Sequence, residues 1–403
     1  MKLHLRNARI LTLAGPVGPR RGKALGELGV IPKGEVLIED GIIVAVGAHV
    51  LASSDAEVID ARGQVLMPGF VDCHTHACWA GDRLDEWDLK LTGVPYLDIL
   101  QAGGGIHSTV AAVRAAGVVE LTSSLGERLA MMLHEGTTTM EVKSGYGLDT
   151  KNELKLLRAI RRAAKKWECT VLTTALLGHA FEGDLAEFVE MTVEETLPTV
   201  SAEFPGVMVD AFCEEGAWPR EACVRLLAQA QAMGHPGRVH ADQFNSLGMI
   251  PEAIRLGLRS VDHLEASTNN DLRALAVAPT MGVILPATGF HTDGRYARAR
   301  QFVDEGGALA LATNYNPGSA PCYSMPFAIS LAVRYCGLTS AEAIAACTVN
   351  AATLLGLADR GTIAPGQRAD LALLLHRDER ALAHEVGGNP VDWVMCNGRI
   401  IRN

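Results

Sequence analysis

The chain has 403 residues, 48% hydrophobic, 20% charged and 5% aromatic, a globular composition long enough for one large α/β unit with a smaller companion. Its formal net charge of -10, with no basic run longer than pairs such as Arg161-Arg162 and Lys165-Lys166, excludes the concentrated positive footprint of a nucleic-acid binder. No uncharged apolar segment reaches membrane-spanning length, and residues 1–6 lack the unbroken apolar stretch of an export signal, so a soluble cytoplasmic protein is expected.

The first sixty or so residues alternate apolar and polar positions, as in Leu3-His4-Leu5-Arg6 and Glu35-Val36-Leu37-Ile38-Glu39, with turns at Gly34 and Asp40-Gly41. This is the pattern of strands with one buried face. Residues 15–34, rich in Gly and Pro, read as a surface loop. Eight apolar runs follow, separated by helical stretches such as 154–167 and 221–233. The runs end at His74-Thr75-His76, Glu141-Val142-Lys143, Leu177-Gly178-His179, Phe212-Cys213-Glu214, Val239-His240, Val261-Asp262-His263, Leu285-Pro286 and Thr313-Asn314. Strands buried on both faces look like this, and eight strand–helix units predict a closed parallel (β/α)8 barrel over residues 65–357. Alternation returns in Arg368-Ala369-Asp370-Leu371-Ala372-Leu373-Leu374-Leu375 and Asp392-Trp393-Val394-Met395-Cys396, before the turn Asn397-Gly398. Neither end has enough strand to bury its own core, so residues 1–64 and 358–403 are expected to form one small β domain. The nine cysteines have no CxxC spacing, their number is odd and several lie in apolar runs, which reads as reduced, mostly buried thiols.

Polar residues recur where the barrel strands end, the face on which such barrels build their sites. His74 and His76 alternate across Thr75 and so point to one side of a strand, as two ligands of one ion must. His240 and His263 close the fifth and sixth runs. Each alone could be a hydrogen-bonded core histidine, but four converging on one mouth are the makings of a metal site. Such a site needs a few protein ligands and an open position for water, whose pKa the ion lowers. His74, His76 and His240 supply three nitrogens, with His263 left to orient substrate or water or to serve as a fourth ligand. Glu141 and Lys143 read as a structural pair. Gly103-Gly104-Gly105 lacks the following Lys-Ser/Thr of a phosphate loop and reads as a tight turn or a close approach to ligand.

Met67-Pro68-Gly69-Phe70-Val71-Asp72-Cys73-His74-Thr75-His76 resembles the opening signature of the amidohydrolase superfamily, and Gly361-Thr362-Ile363-Ala364-Pro365-Gly366-Gln367-Arg368-Ala369-Asp370-Leu371 its closing one. Within it the chain is most similar, nearly end to end, to the imidazolonepropionases, through residues 89–100, Gly103 to Ile106, residues 141–148 and Asn316-Pro317-Gly318. The resemblance implies hydrolytic opening of 4-imidazolone-5-propanoate to N-formimino-L-glutamate, in histidine degradation. It implies one divalent metal, Zn2+ first and Fe2+ as the alternative, on His74, His76, His240 and the residue at 314. It also implies a carboxylate-bearing small-molecule substrate held by Arg83, Tyr96, Tyr146, His179, Asn316 and Gly318, and a homodimer. An arginine fork with tyrosine hydroxyls suits a carboxylate, although Arg83 could instead form a rim salt bridge with Asp82 or Asp85, and the tyrosines could be core.

The chain departs from that pattern at Asn314, where the family carries an aspartate that contacts the metal and takes a proton. An asparagine offers an amide oxygen but cannot act as a base near neutral pH. Three readings stay open: a variant engineered to trap a ligand, a natural relative whose base is His263 or Asp242, or a ligand-binding homologue without catalysis. The first is favoured, because every other site position is in place. Gln243 stands where some relatives have glutamate. It leaves room for a 2-thioxo ring, and a deaminase of cyclic amidines or pyrimidines is the further rival.

Overall fold

The computed structural model describes residues 1–52, 54–93 and 104–402. Five strands open the chain: β1 (Lys2–Leu11), β2 (Val30–Glu39), β3 (Ile42–Gly47), β4 (Glu57–Asp60) and β5 (Val65–Pro68). Eight more build the barrel: β6 (Phe70–Asp72), β7 (Thr137–Lys143), β8 (Thr170–Gly178), β9 (Met208–Cys213), β10 (Val239–Ala241), β11 (Ser260–His263), β12 (Met281–Ile284) and β13 (Leu309–Leu311). Three end it: β14 (Leu371–Leu374), β15 (Val391–Cys396) and β16 (Arg399–Arg402).

The barrel strands pair in sequence order from β6 to β13, all parallel, and each coincides with one of the eight apolar runs. Their burial is nearly unbroken, because one side of each strand faces the barrel interior and the other the surrounding helices. Past the ends of β6 and β13, a parallel bridge between Thr75 and Tyr315 closes the cylinder, with the His76 N–H donating to the Tyr315 carbonyl at 2.9 Å. The helix Arg220–Ala232 matches the expected stretch 221–233 to within a residue, whereas Thr150–Ala164 starts four residues before the expected 154–167 and ends three before it. Asp149 caps the latter by accepting from the Asn152 N–H at 2.7 Å.

The remaining strands form one sheet in the order β16-β15-β14-β5-β1-β2-β3, with β4 beside β1, so both chain ends contribute to it. Its core of Leu3, Leu5, Ile10, Val36, Ile38, Leu371, Leu373 and Met395 takes residues from each end, and neither end could close it alone.

Three expectations need correction. The stretch from Val65 to Val71, expected wholly inside the barrel of residues 65–357, holds two strands: β5 lies between β1 and β14 in the terminal sheet, and β6 belongs to the barrel. Gly69 makes the switch, its N–H donating to the Asp370 carbonyl at 2.9 Å. Residues 15–34 are not simply a surface loop. Arg20 is buried and donates to the carbonyls of Leu13, Ala14 and Glu27, Leu25 and Leu28 are core, and β2 already begins at Val30. Finally, the cysteines are not all reduced: Cys169 and Cys396 form a disulfide joining the start of the β8 region to the end of β15, while the other seven are free. Partners 227 residues apart are invisible to local spacing. No helix of the described residues is long and apolar enough to cross a membrane.

A Cβ at residue 69 would overlap the Thr138 side chain, which packs directly on Gly69. Gly69→Ala is expected to lower the free energy of unfolding by about 2 kcal/mol, as overpacking of a filled core does. Urea denaturation checks this, and a variant as stable as the parent would show that the junction has slack.

Candidate metal centre

Four imidazoles meet at the C-terminal mouth of the barrel. The His76 Nε2 lies 3.3 Å from the His74 Nε2 and 3.3 Å from the His240 Nε2. His74, His240 and His263 each place a ring nitrogen within 4.8 Å of the other two. All four side chains are buried. Burial pushes the pKa of His74 and His76 well below the ordinary value, reinforced by the charge of Lys143 at His74 and by His179 at His76. His240 is also lowered by burial, against the pull of Asp210. The rings are therefore neutral, the form in which imidazole binds a metal.

Carboxylates set which nitrogen faces the cluster. The His74 Nδ1 lies 2.6 Å from the Asp262 Oδ2, and the His240 Nδ1 lies 3.1 Å from the Asp210 Oδ1. With a proton held on each Nδ1, each Nε2 is left as a bare lone pair turned to the centre. Farther inside, Lys143 bridges Glu141 at 2.8 Å and Asp210 at 2.9 Å, and Arg238 pairs with Asp262. These three carboxylates and two cations are fully buried, leaving one net negative charge beside the neutral imidazoles. Such a balance suits a cation among the rings. The pairing of Glu141 with Lys143 agrees with their structural reading, and Glu141 also accepts from the Thr75 N–H at 3.1 Å, between the two strand-end histidines.

Asn314 completes the cluster from the eighth strand. Its backbone N–H donates to the His74 carbonyl at 3.1 Å, and its Nδ2 donates to the Thr288 hydroxyl at 2.8 Å. That bond turns the amide the other way round, and its Oδ1 is buried without a hydrogen-bond partner. A buried amide oxygen with no hydrogen-bond partner among the described residues, on a residue whose backbone bonds that of His74, together with bare imidazole nitrogens, is a donor set that fits a divalent ion. Asn314, Asp242 and His263 all have positive φ, at 57°, 58° and 92°, so three strand ends turn through the left-handed region, and the Asp242 carboxylate accepts from the Ser267 hydroxyl at 2.9 Å. The His263 Nδ1 faces the Glu265 carboxylate at 3.3 Å.

Around this centre, His179 stacks on His76 with centroids 5.1 Å apart, and the Tyr146 ring lies 5.3 Å from His179. The His179 Nδ1 donates to the Gly145 carbonyl at 2.9 Å, and burial, followed by the neighbouring His240, lowers its pKa to about 3. Gln243 lies buried just past the end of β10. Arg83 opens on a cavity of about 300 Å³ that it lines with Trp79, Trp87, His291 and Gly318. Its rim partner is Glu86, with Nε to Oε2 at 2.5 Å, rather than Asp82 or Asp85. Gly318 makes room for it, since a Cβ there would come within 3.0 Å of the Arg83 Nη1. Gly105, at φ 71° before the helix Ile106–Ala115, donates its N–H to the same Glu86 at 2.9 Å. Asn316, expected on the substrate, turns its amide into its own loop instead. It accepts from Gly318 and Ser319 N–H at 2.9 and 2.8 Å and donates to the Asn314 carbonyl at 2.6 Å, as an asparagine does in a tight turn. Tyr96 and Gly103 lie outside the described residues.

Sequence reasoning missed Asp210, Asp262, Arg238, Thr288, Glu86 and Glu265. A signal existed for three of them. Asp210, Asp262 and Arg238 are charges inside or beside apolar strand runs, and a charge buried in a strand has to be paired.

A closed parallel barrel whose strand ends converge four buried imidazoles defines a metal-dependent hydrolase of the amidohydrolase class, and residues 65–401 match the model of the Amidohydrolase family, to which the chain belongs. More narrowly, it is a member of the imidazolonepropionase family. It is 44% identical over 381 residues to the imidazolonepropionase of Deinococcus radiodurans, covering 94% of this chain and 95% of the relative. It is 42% identical over 405 residues to that of Herpetosiphon aurantiacus, covering 97% and 95%. Among solved structures, an atrazine chlorohydrolase from Arthrobacter aurescens TC1 complexed with zinc shares the fold, with a TM-score of 0.72 at 16% identity over 99% of this chain and 94% of that one.

The orientation of Asn314 depends on one hydroxyl. In Thr288→Val its buried Nδ2 loses its acceptor, and metal-free protein is expected to lose about 1–3 kcal/mol of stability in denaturant titration. Thr288→Ser should restore most of it, and an undiminished Val variant would mean that the amide is turned the other way.

Proposed function

We propose that this chain opens the ring of 4-imidazolone-5-propanoate by hydrolysis to N-formimino-L-glutamate, on a single divalent ion held by His74, His76, His240 and the amide oxygen of Asn314. The convergence of the His74, His76 and His240 Nε2 atoms carries the reading, and family membership supplies the substrate. Zn2+ is the ion preferred by three neutral imidazoles and an oxygen, with Fe2+ as the alternative. When bound, the ion supplies Lewis acidity that polarises a carbonyl and makes water a nucleophile at neutral pH.

The chain's own residues do the rest. Arg83, held by Glu86 and given space by Gly318, presents its guanidinium to the propionate, with the hydroxyl of Tyr146, whose ring lies beside His76 and His179, as a second donor. His179, with its Nδ1 proton held by the Gly145 carbonyl, turns Nε2 to the imidazolone ring, and Gln243 offers an amide to the ring N–H or carbonyl. His263, backed by Glu265, is the group beside the cluster able to take a proton, since Asn314 cannot.

Asn314 leads to a direct test. The parent chain and Asn314→Asp, both loaded with metal, are incubated with 4-imidazolone-5-propanoate while substrate loss and formimino-glutamate are followed. Restoring a carboxylate at this position is expected to raise kcat by about 10²-fold or more. Failure of both proteins to turn over would sink the substrate, and release of ammonia would indicate a deaminase.

Glu86 gives a second test. Burial opposes its ionisation, but Lys90 and Arg83 hold it below the usual carboxylate range, so it is an anion at neutral pH. Glu86→Gln frees Arg83 from its anchor, and KM is expected to rise about tenfold with kcat largely kept, as loss of uniform binding does. Steady-state kinetics reads the two separately, and an unchanged KM would remove Arg83 from the carboxylate subsite.

A further inference from the structure

We infer that Arg238 is a positioning residue of the metal centre: it clamps His74 from two sides and thereby sets the direction of that ligand's lone pair. The inference rests on the metal reading above and adds to it a residue that touches neither ion nor substrate.

Arg238 lies just before β10, two residues from His240, and its side chain is fully buried. Its Nη1 donates to the Cys73 carbonyl at 2.7 Å, the peptide immediately before His74. Its Nη2 donates to the Asp262 Oδ2, the same oxygen that lies 2.6 Å from the His74 Nδ1. One planar guanidinium thus holds both the backbone that carries His74 and the carboxylate that orients its ring. Ser260 donates to the other Asp262 oxygen at 2.6 Å, so this carboxylate has no freedom to rotate away.

A matching relay serves His240. Lys143 holds Asp210 at 2.9 Å, and Asp210 in turn faces the His240 Nδ1 at 3.1 Å. Glu141 joins the two relays, 2.8 Å from Lys143 and 3.7 Å from Arg238. His76 has no such support among the described residues, where its Nδ1 is buried without a hydrogen-bond partner and its ring rests on His179. Two of the three imidazoles are therefore directed by ion pairs from inside the barrel. A fork with several fixed donors can bind a carbonyl and a carboxylate together, whereas a lysine ammonium lacks that planar geometry.

The test separates positioning from mere packing. Parent, Arg238→Met, Arg238→Lys and Gly69→Ala proteins are stripped with chelator and titrated with Zn2+ against a chromophoric competitor, and the visible spectrum of each Co2+-loaded form is recorded. Gly69→Ala is the control for lost stability without a change at the centre. Arg238→Met is expected to lose about 10- to 100-fold in Zn2+ affinity and to alter the Co2+ spectrum, with Arg238→Lys in between and Gly69→Ala like the parent. Parent-like affinity and spectrum in folded Arg238→Met overturn the inference, as does an equal loss in Gly69→Ala. If Arg238→Met does not fold, Asp262→Asn, nearly the same in shape, takes its place, and a parent-like Zn2+ affinity there overturns it equally. A parent protein that takes up neither Zn2+ nor Co2+ overturns the metal reading itself, an outcome distinct from the others.

Discussion

Closure of the parallel sheet is the constraint on which everything else rests. His74 and Asn314 are separated by almost the whole barrel in sequence, yet the Asn314 N–H bonds the His74 carbonyl at 3.1 Å because the first and last strands become neighbours. Asp72 on β6 ties the same seam, accepting from the Thr313 hydroxyl at 2.5 Å. An open sheet of the same eight strands would leave the first and last at opposite edges, and no common centre would exist. A closed one forces the ends of all eight strands around a single axis.

Closure also sets an electrostatic problem. Side chains pointing into the cylinder lose water, and several here are charged. Lys143, Arg238, Glu141, Asp210 and Asp262 are all fully buried, a costly arrangement unless every charge has a partner at contact distance. The protein turns this network to use. Asp210 and Asp262 each neutralise a cation and hold an imidazole, and Glu141 joins Lys143 to the Thr75 N–H between the strand-end histidines, so the interior ion pairs and the mouth of the site form one connected structure. Burial keeps the imidazoles neutral, and the carboxylates decide which nitrogen is free.

The terminal sheet contributes by position. Because β5 runs straight into β6 through Gly69, the first barrel strand is anchored to a second folded layer immediately before it delivers His74 and His76. The disulfide between Cys169 and Cys396 gives another covalent tie between β15 and the chain just ahead of β8. Arg83, Glu86 and Gly318 show the same logic at the rim. A carboxylate fixes the arginine and a glycine clears the space beside it, so its side chain is ordered in advance.

The amino-acid sequence by itself determined the eight apolar runs, the β character of both ends and the histidines at the strand ends, because periodicity and strand-terminal position are local properties. It also places an amide, Asn314, at the end of the eighth run. Tertiary structure alone decided that the run from Val65 to Val71 serves two sheets, that Cys169 meets Cys396, that Asn316 holds its own loop, and that Asp210, Asp262, Arg238 and Thr288 support the centre. These are pairings between distant residues. Hydrogen bonds and ion pairs depend on distance and direction in space, and chain order does not encode either until the barrel closes.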